Sequence, residues 1–433
     1  MSRQNDDINL ETATVSAHLA QPIDSPSISQ ESLITNKVTK VSTDTPDKSI
    51  DYTMHALPAA VSRLKQTRLV LFFTHGMSLH SWETSHLFER EVAIYLALLP
   101  HLGGITFITY GDKKDLQFAQ KLKGIEVVCN HMGLSSKWYR RYLTWWPAKW
   151  QKGQVVFKTN QIRGSDLALD IAKHHNKPFI SRCGYLLADW LKWLDGEDAK
   201  TYKSAFELEN MVFNGASRVV VTTDDMKNIV TTSYNINSNK VFVTPNYVNT
   251  DLFTPEDRPK PTKRLISIGR LEKQKNIESL ILALANSEVE LWLVGRGTLE
   301  EKLINLARTN KVNVKFCGIQ PHIELPNLLN QSTVFILPSH WEGHPKTLLE
   351  AMSCGLPVIG SNIPSIAGVI KNGDNGLLCD PTPDAIRKTV FKLLDNTQLQ
   401  KKLGNNARKY VLENLTIGKT VQRELLAIRE QLL

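Results

Sequence analysis

Two doubly wound α/β domains in tandem are expected from this chain of 433 residues. Short apolar runs rich in β-branched residues recur along it without polar alternation, which marks strands covered on both faces, as in a parallel sheet between helices. Helical patterns separate most of these runs, the signature of repeated βαβ units. The series pauses at PNYVNTDLFTPEDRPKPTK (245–263), where prolines and charges collect as they do in an interdomain linker. The length suits two or three domains with sizeable cores.

Residues 1–58 stand apart. QPIDSPSISQESLITNKVTKVSTDTPDKS is rich in Ser, Thr, Pro and Asp and lacks aromatics, so it offers too little apolar surface to offset its ordering entropy; disorder is expected there. LVLFFTH (69–75) then opens the first strand series, followed by one amphipathic helix over 82–99. ITFIT (105–109), IEVV (125–128), VVFKT (155–159), FIS (179–181), RVVVTT (218–223) and KVFVT (240–244) continue it, with helices around 199–214 and from Asp224. The second series is RLISIG (264–269), ELWLVG (290–295), VNVKFCG (312–318), VFILPS (334–339) and PVIGS (357–361). The domains are thus expected at 59–250 and 251–405, with a terminal helix over 406–433 that, by analogy with other two-lobed enzymes, crosses back to the first domain.

Composition narrows the class. No apolar run approaches the roughly 18–20 residues needed to span a bilayer, and MSRQNDDINLETATVS lacks the apolar core of a secretory signal. Five scattered cysteines with no Cys-x-x-Cys pair argue against a disulfide framework or zinc site. A soluble, cytoplasmic protein is expected. The net charge of +9 suits anionic partners, but no zinc-finger spacing or RNA-recognition signature occurs, so nucleic acid is not among those expected.

The most informative stretch is VFILPSHWEGHPKTLLEAMSCGLPVIGS (334–361). A strand ends near Pro338, a loop follows, and Pro345 stands where a first helical residue belongs. Glu342 in the loop and Glu350 in the helix flank exposed amides around Lys346, Thr347 and Leu348. A helix N-terminus at the carboxyl edge of a parallel strand attracts anions, and carboxylates on either side accept hydrogen bonds from sugar hydroxyls. In SIGRLEKQKN (267–276) a strand runs into Gly269, with Arg270 and Lys275 in the loop beyond, two cations fit to grip a diphosphate. The weaker signals point elsewhere and are set aside. Gly295-x-Gly297 lacks the third glycine of a dinucleotide fingerprint. His340 and His344 are four apart, but in a loop rather than on a helix, so no metal pair is expected. Gly76-Met-Ser-Leu-His80 misses the last glycine of a nucleophile elbow.

Taken in order, GRLEKQKN, VGRGTLEE (294–301), VKFCGIQ (314–320) and LPSHWEGHPKTLLEAMSCGLPVIGS resemble successive blocks of the family 4 ("group 1") glycosyltransferases, GT-B enzymes with two facing Rossmann-like domains. Glu342-x7-Glu350 matches that family's E-x7-E motif, and PNYVNTDLFTP (245–255) resembles its PNGVDTxxFxP connection, with Tyr247 in place of glycine. The resemblance is strong over about 220–405 and weak over 68–220. It implies that Arg270 and Lys275 hold a diphosphate, that Glu350 binds ribose hydroxyls, and that Glu342 faces the donor sugar. It also implies that the backbone of Gly343, His344 and Pro345 lines the sugar pocket, while the loop after Thr74, with Gly76, approaches the phosphates from the first domain. Many relatives carry a histidine near the reacting carbon; PFISRCGY (178–185) places Cys183 there, with Arg182 and Cys183 as candidate pocket-lining residues.

The function implied is a retaining, nucleotide-sugar-dependent glycosyltransferase of polysaccharide or glycolipid assembly, with a UDP- or GDP-sugar donor and a glycan or lipid-linked acceptor. No cofactor and no metal are expected, because the chain has no Asp-x-Asp. A catalytically silent sugar-nucleotide binder, and a glycan phosphorylase or epimerase on the same fold, are the alternatives. KWYRRYLTWWPAKWQK (137–152) places Trp138, Tyr142 and Trp145 on one helical stripe that Pro147 should end. Its readings are a packed helix with a cationic outer face, a peripheral contact with the anionic inner face of a membrane, or an acceptor grip.

Overall fold

The computed structural model describes residues 58–145, 153–257 and 263–432. The expected disorder of 1–58 falls almost wholly outside them, as do Trp146, Pro147 and Trp150.

Two parallel sheets carry the fold. The first contains β1 (Thr67–Phe72), β2 (Gly104–Ile108), β3 (Glu126–Val128), β4 (Gln154–Thr159), β5 (Phe179–Cys183), β6 (Arg218–Val221) and β7 (Val241–Val243), in the order β3-β2-β1-β4-β5-β6-β7. The second contains β8 (Arg264–Ile268), β9 (Glu290–Val294), β10 (Asn313–Gly318), β11 (Val334–Leu337), β12 (Val358–Ser361) and β13 (Leu377–Cys379), in the order β10-β9-β8-β11-β12-β13. This is the expected GT-B arrangement of two Rossmann-like domains. Leu69 is in register with Ile105 on one side and Val156 on the other, and all three are buried. Leu265 likewise pairs with Leu291 and Val334. Continuous apolar strands are therefore covered on both faces, as their lack of alternation implied.

Several local outcomes differ from the sequence reading. The helix expected over 82–99 is two helices, Leu79–Thr84 and Phe88–Leu98, because His86 takes a left-handed conformation (φ 54°) between them. Ser78 starts the first with a capping box, a signal that lies just before the expected span. The short strand β13 and the helix Leu187–Asp195 were not anticipated.

In both sheets the strand order reverses beside the first strand of the domain, between β1 and β4 and between β8 and β11. A doubly wound sheet opens a crevice at the carboxyl ends of its strands at that reversal.

In place of the single terminal helix expected over 406–433 there are two, Thr397–Asn414 and Ile417–Arg429, the second begun by the Thr416 cap. The second crosses back and packs on Phe88–Leu98 and Pro58–Gln66 of the first domain. The bonds that fasten it and the residues just after it include Lys158 to Glu424 at 2.5 Å, with both side chains buried, Arg218 to Glu430 at 2.8 Å, and Arg63 to the Leu432 carbonyl at 2.6 Å. Tyr247, which stands where the resembled connection has glycine, has a local partner: its hydroxyl donates to the Arg90 carbonyl on helix Phe88–Leu98. The connection after β7 is thereby tied to the first domain, and Val248 pairs with Thr416 between the two terminal helices.

Candidate functional site

The β8/β11 reversal brings the two informative sequence stretches together. After β8 the chain passes Gly269 and Arg270 and makes a tight turn at Lys273–Lys275, which left-handed Asn276 ends. The Asn276 amide then donates to the Pro338 carbonyl at 3.0 Å, tying this loop to the one after β11. Across that tie Lys275 Nζ meets Glu342 Oε1 at 2.5 Å, and the Ser339 hydroxyl donates to the same oxygen at 2.6 Å. Gly269 leaves room for the Lys275 stem, since a Cβ there would lie 3.1 Å from Lys275 Cε and the lysine would have to shift. Arg270 is exposed, and among the described residues no hydrogen bond or ion pair holds its guanidinium.

The helix Lys346–Ser353 begins at this crevice. Pro345 is its N-cap, one position earlier than expected, and no side chain caps it. Proline brings no N–H of its own, and among the described residues the amides of Lys346 and Thr347 meet no protein acceptor. Leu348, the third residue of the expected amide cradle, instead donates to the Pro345 carbonyl. Glu350, one turn further, is 3% exposed; one carboxylate oxygen contacts His322 Nε2 at 2.9 Å, and Oε2 has no partner among the described residues. Two open amides and the exposed Arg270 thus stand at the β8/β11 reversal, with the buried Glu350 one helical turn behind the amides. Such a set binds an anion beside a polyol.

The first domain closes over this crevice. Gly343 packs so tightly on the loop after β5 that a Cβ would lie 2.8 Å from the Gly184 carbonyl and 2.9 Å from Tyr185 Cβ. Trp341 Nε1 donates to Asp189 at 2.8 Å, and Lys346 reaches Glu91 on helix Phe88–Leu98 at 2.5 Å. The Lys346 side chain therefore bridges the domains, while its backbone amide remains at the crevice. Burial alone would raise the Glu91 carboxyl, but Lys346 and Arg90 hold it down at about 2. Burial in turn pushes the Lys346 ammonium down to about 8 against the pull of Glu91. Sequence reasoning missed Glu91, Asp189 and His322, which carry no motif of their own.

Arg182 lines the space between the domains, bonded to the Asn160 carbonyl at 3.2 Å and to Asn246 Oδ1 at 3.1 Å. Cys183 does not line a pocket. It is fully buried in the first-domain core and its thiol donates to the Tyr185 carbonyl at 2.8 Å. Successive side chains of a strand point to opposite faces, so Arg182 and Cys183 cannot share one. Burial pushes the Cys183 thiol well above its ordinary range, leaving it protonated and unsuited to nucleophilic attack. Gly76 (φ 78°) sits at the first domain's own reversal, where the neighbouring His75 amide bonds the Arg163 carbonyl at 3.0 Å.

His344 is buried, and its Nδ1 accepts the Asn246 amide at 3.0 Å while its carbonyl accepts the Asn246 side chain at 2.7 Å. That bond fixes a neutral ring with Nδ1 unprotonated. Burial first, then Arg182, Arg423 and Lys346, push its pKa down to about 4. The unfolded chain therefore binds more protons than the folded one between about pH 6.5 and 4, and stability falls as pH is lowered through that window. We expect a loss of about 2 kcal/mol at pH 5 relative to pH 7 from this residue. Urea unfolding at both pH values checks it: His344→Gln should show a smaller acid loss than the parent, and an equal loss contradicts the assignment.

Gly295 and Gly297 also have a structural cause. Cβ atoms there would lie 2.0 Å from the Gly269 carbonyl and 2.4 Å from the Leu271 carbonyl, so these glycines let the β9 loop press against the β8 loop.

The glycosyl transferases group 1 family matches residues 249–410. Glycogen synthase of Mycobacterium tuberculosis is 32% identical over 153 residues, covering 34% of this chain and 37% of that protein. The chain spans about two fifths of the length of the first curated relatives it matches. Among solved structures, sucrose-phosphate synthase from Thermosynechococcus elongatus superposes with a TM-score of 0.71 at 19% identity, over 84% of this chain and 99% of that one. Anabaena HepE in complex with UDP and glucose gives 0.64 at 16% identity, over 84% and 98%.

Proposed function

We propose, from the premise that this chain belongs to the group 1 glycosyl transferases, that it moves a sugar from a nucleoside diphosphate sugar to a glycan or lipid-linked acceptor. The observation that carries this reading is the meeting of Lys275, Glu342 and the open amides of Lys346 and Thr347 at the β8/β11 reversal. Arg270, Lys275 and the amides hold the diphosphate and stabilise its charge as the sugar leaves. Glu350 takes the ribose hydroxyls, and Glu342, oriented by Lys275 and Ser339, faces the sugar. The donor binds mainly to the second domain, the acceptor to the first.

The reaction we infer is a same-face substitution with retention. The protonated, core-bound Cys183 is no nucleophile, and Glu342 is engaged by Lys275. The departing phosphate takes the acceptor's proton as the new bond forms. Positive charge from Arg270, Lys275 and the helix amides serves without a metal ion. UDP- and GDP-sugars incubated with glycan and lipid-linked acceptors test this. Nucleoside diphosphate release that needs an acceptor, persists in EDTA and yields a product of unchanged anomeric configuration by NMR is the expected result. Release abolished by EDTA and restored by manganese, or an inverted product, overturns the respective part. Tight donor binding with no turnover supports the silent binder, a reading that Cys183 in place of the family histidine favours.

The acceptor side carries a surface suited to an anionic membrane. On helix Ser136–Trp145 Tyr139 and Leu143 are buried and Tyr142, the middle residue of the stripe, packs partly buried on the core, so only its two ends face outward: Trp138 is 59% and Trp145 70% exposed. Arg141 lies over the Trp138 ring, Lys137 is exposed, and no Asp or Glu occurs between Glu126 and Asp166. Aromatic rings and basic side chains on one outer face favour an anionic interface. We expect cosedimentation with phosphatidylglycerol vesicles that weakens with salt and is lost in Trp138→Ser/Trp145→Ser. Binding indifferent to lipid charge and salt sinks the idea.

A further inference from the structure

We propose that His322 is a positioning residue that fixes the carboxylate of Glu350 so that one oxygen is kept for the hydroxyl pair of a bound nucleotide's ribose; this rests on the donor-binding reading of the crevice. A carboxylate only accepts hydrogen bonds, so the His322 Nε2 facing Glu350 Oε1 at 2.9 Å carries a proton and donates it. Both side chains are at least nine-tenths buried, at 10% and 4% exposure, so water competes little for that bond. The other oxygen, Oε2, is buried without a partner among the described residues. A buried carboxylate oxygen left unsatisfied is costly unless a ligand supplies the donor.

The imidazole is itself held. It begins the tight turn His322–Glu324 after β10, and the Phe253 ring stands 5.1 Å from it. Phe253 is fully buried, and its carbonyl accepts bonds from Arg408 at 2.6 Å and Ser353 at 2.7 Å. Ser353 ends the helix that carries Glu350, so the ring and the acid are referenced to one rigid element. Pinning one oxygen removes the rotational freedom that an isolated glutamate surrenders on binding, which raises affinity through preorganisation.

The consequence is specific to the ribose. Calorimetric titration with UDP and, in parallel, GDP, each compared with its 2′,3′-dideoxy form, separates it from a general structural role. The parent should bind the ribonucleotide more tightly than the dideoxy form. Folded His322→Ala should lose about tenfold in ribonucleotide affinity with dideoxy affinity unchanged, and His322→Gln, which retains an N–H donor, should recover most of the preference. A parent that discriminates while folded His322→Ala keeps the same ratio overturns the role of His322 and leaves the crevice reading intact. A parent that binds neither nucleotide, or binds ribo and dideoxy forms equally, overturns the assignment of Glu350 and this proposal with it.

Discussion

On the proposed reading, replacing Lys275 by alanine should lower turnover about 10²- to 10³-fold, the range seen when a single group facing developing negative charge is removed. The loss has two sources. The ammonium would no longer meet the proposed leaving diphosphate, and Glu342, 7% exposed, would keep, among the described residues, only the Ser339 hydroxyl as a side-chain partner. The second effect also destabilises the fold, by about 1–3 kcal/mol for a buried acceptor deprived of its charged donor. Lys275→Ala/Glu342→Gln should recover much of that stability without recovering turnover. Arg270→Ala supplies the contrast: its side chain is exposed, so stability should change by no more than about 0.5 kcal/mol while turnover still falls. Steady-state kinetics with urea unfolding of all three variants decides the matter, and parental turnover in Lys275→Ala removes that residue from the chemistry.

Glu424→Ala should be the most destabilising single change outside the crevice, at about 3–5 kcal/mol. Its partner Lys158 is 1% exposed on β4, and burial pushes that ammonium toward neutrality while Glu424 pulls the other way. Without Glu424 the lysine is left as an unpaired charge in the interior. Replacing both partners by apolar groups removes the charge as well as the bond, so Lys158→Met/Glu424→Leu should regain most of the loss. Urea midpoints measure both. A Glu424→Ala midpoint within error of the parent would mean that water reaches Lys158.

Much of the fold was legible because its strands are buried on both faces and therefore read as unbroken β-branched runs, from LVLFF to VFILP. The spacing of Glu342 and Glu350 was legible for a similar reason: a loop acid and a helix acid eight residues apart bracket one helix start. Other features depend on information that one strand or helix does not hold. Arg182 and Cys183 differ in which face of β5 they occupy, and a strand without polar alternation gives no sign of which face is which. The outward stripe of Trp138 and Trp145 has the same origin, since Tyr139 and Leu143 offer an equally apolar alternative on the same helix. Glu91 meets Lys346 across 255 positions of chain, and Trp341 meets Asp189 across 152. Such pairs follow from how two domains face each other, which local spacing does not encode.

The returning terminal helix bears on how the chain is made. Translation supplies Lys158 its counterion only 266 residues later. At about 5–20 residues per second this delay is on the order of tens of seconds. The strands of the second sheet, from Arg264 to Cys379, emerge as one contiguous block within that interval. A nascent chain halted just after Leu415 therefore carries every strand of the second sheet and the described core residues packed on it, whereas the first still lacks the helix that neutralises its buried lysine. Although the first domain is encoded first, it is finished last.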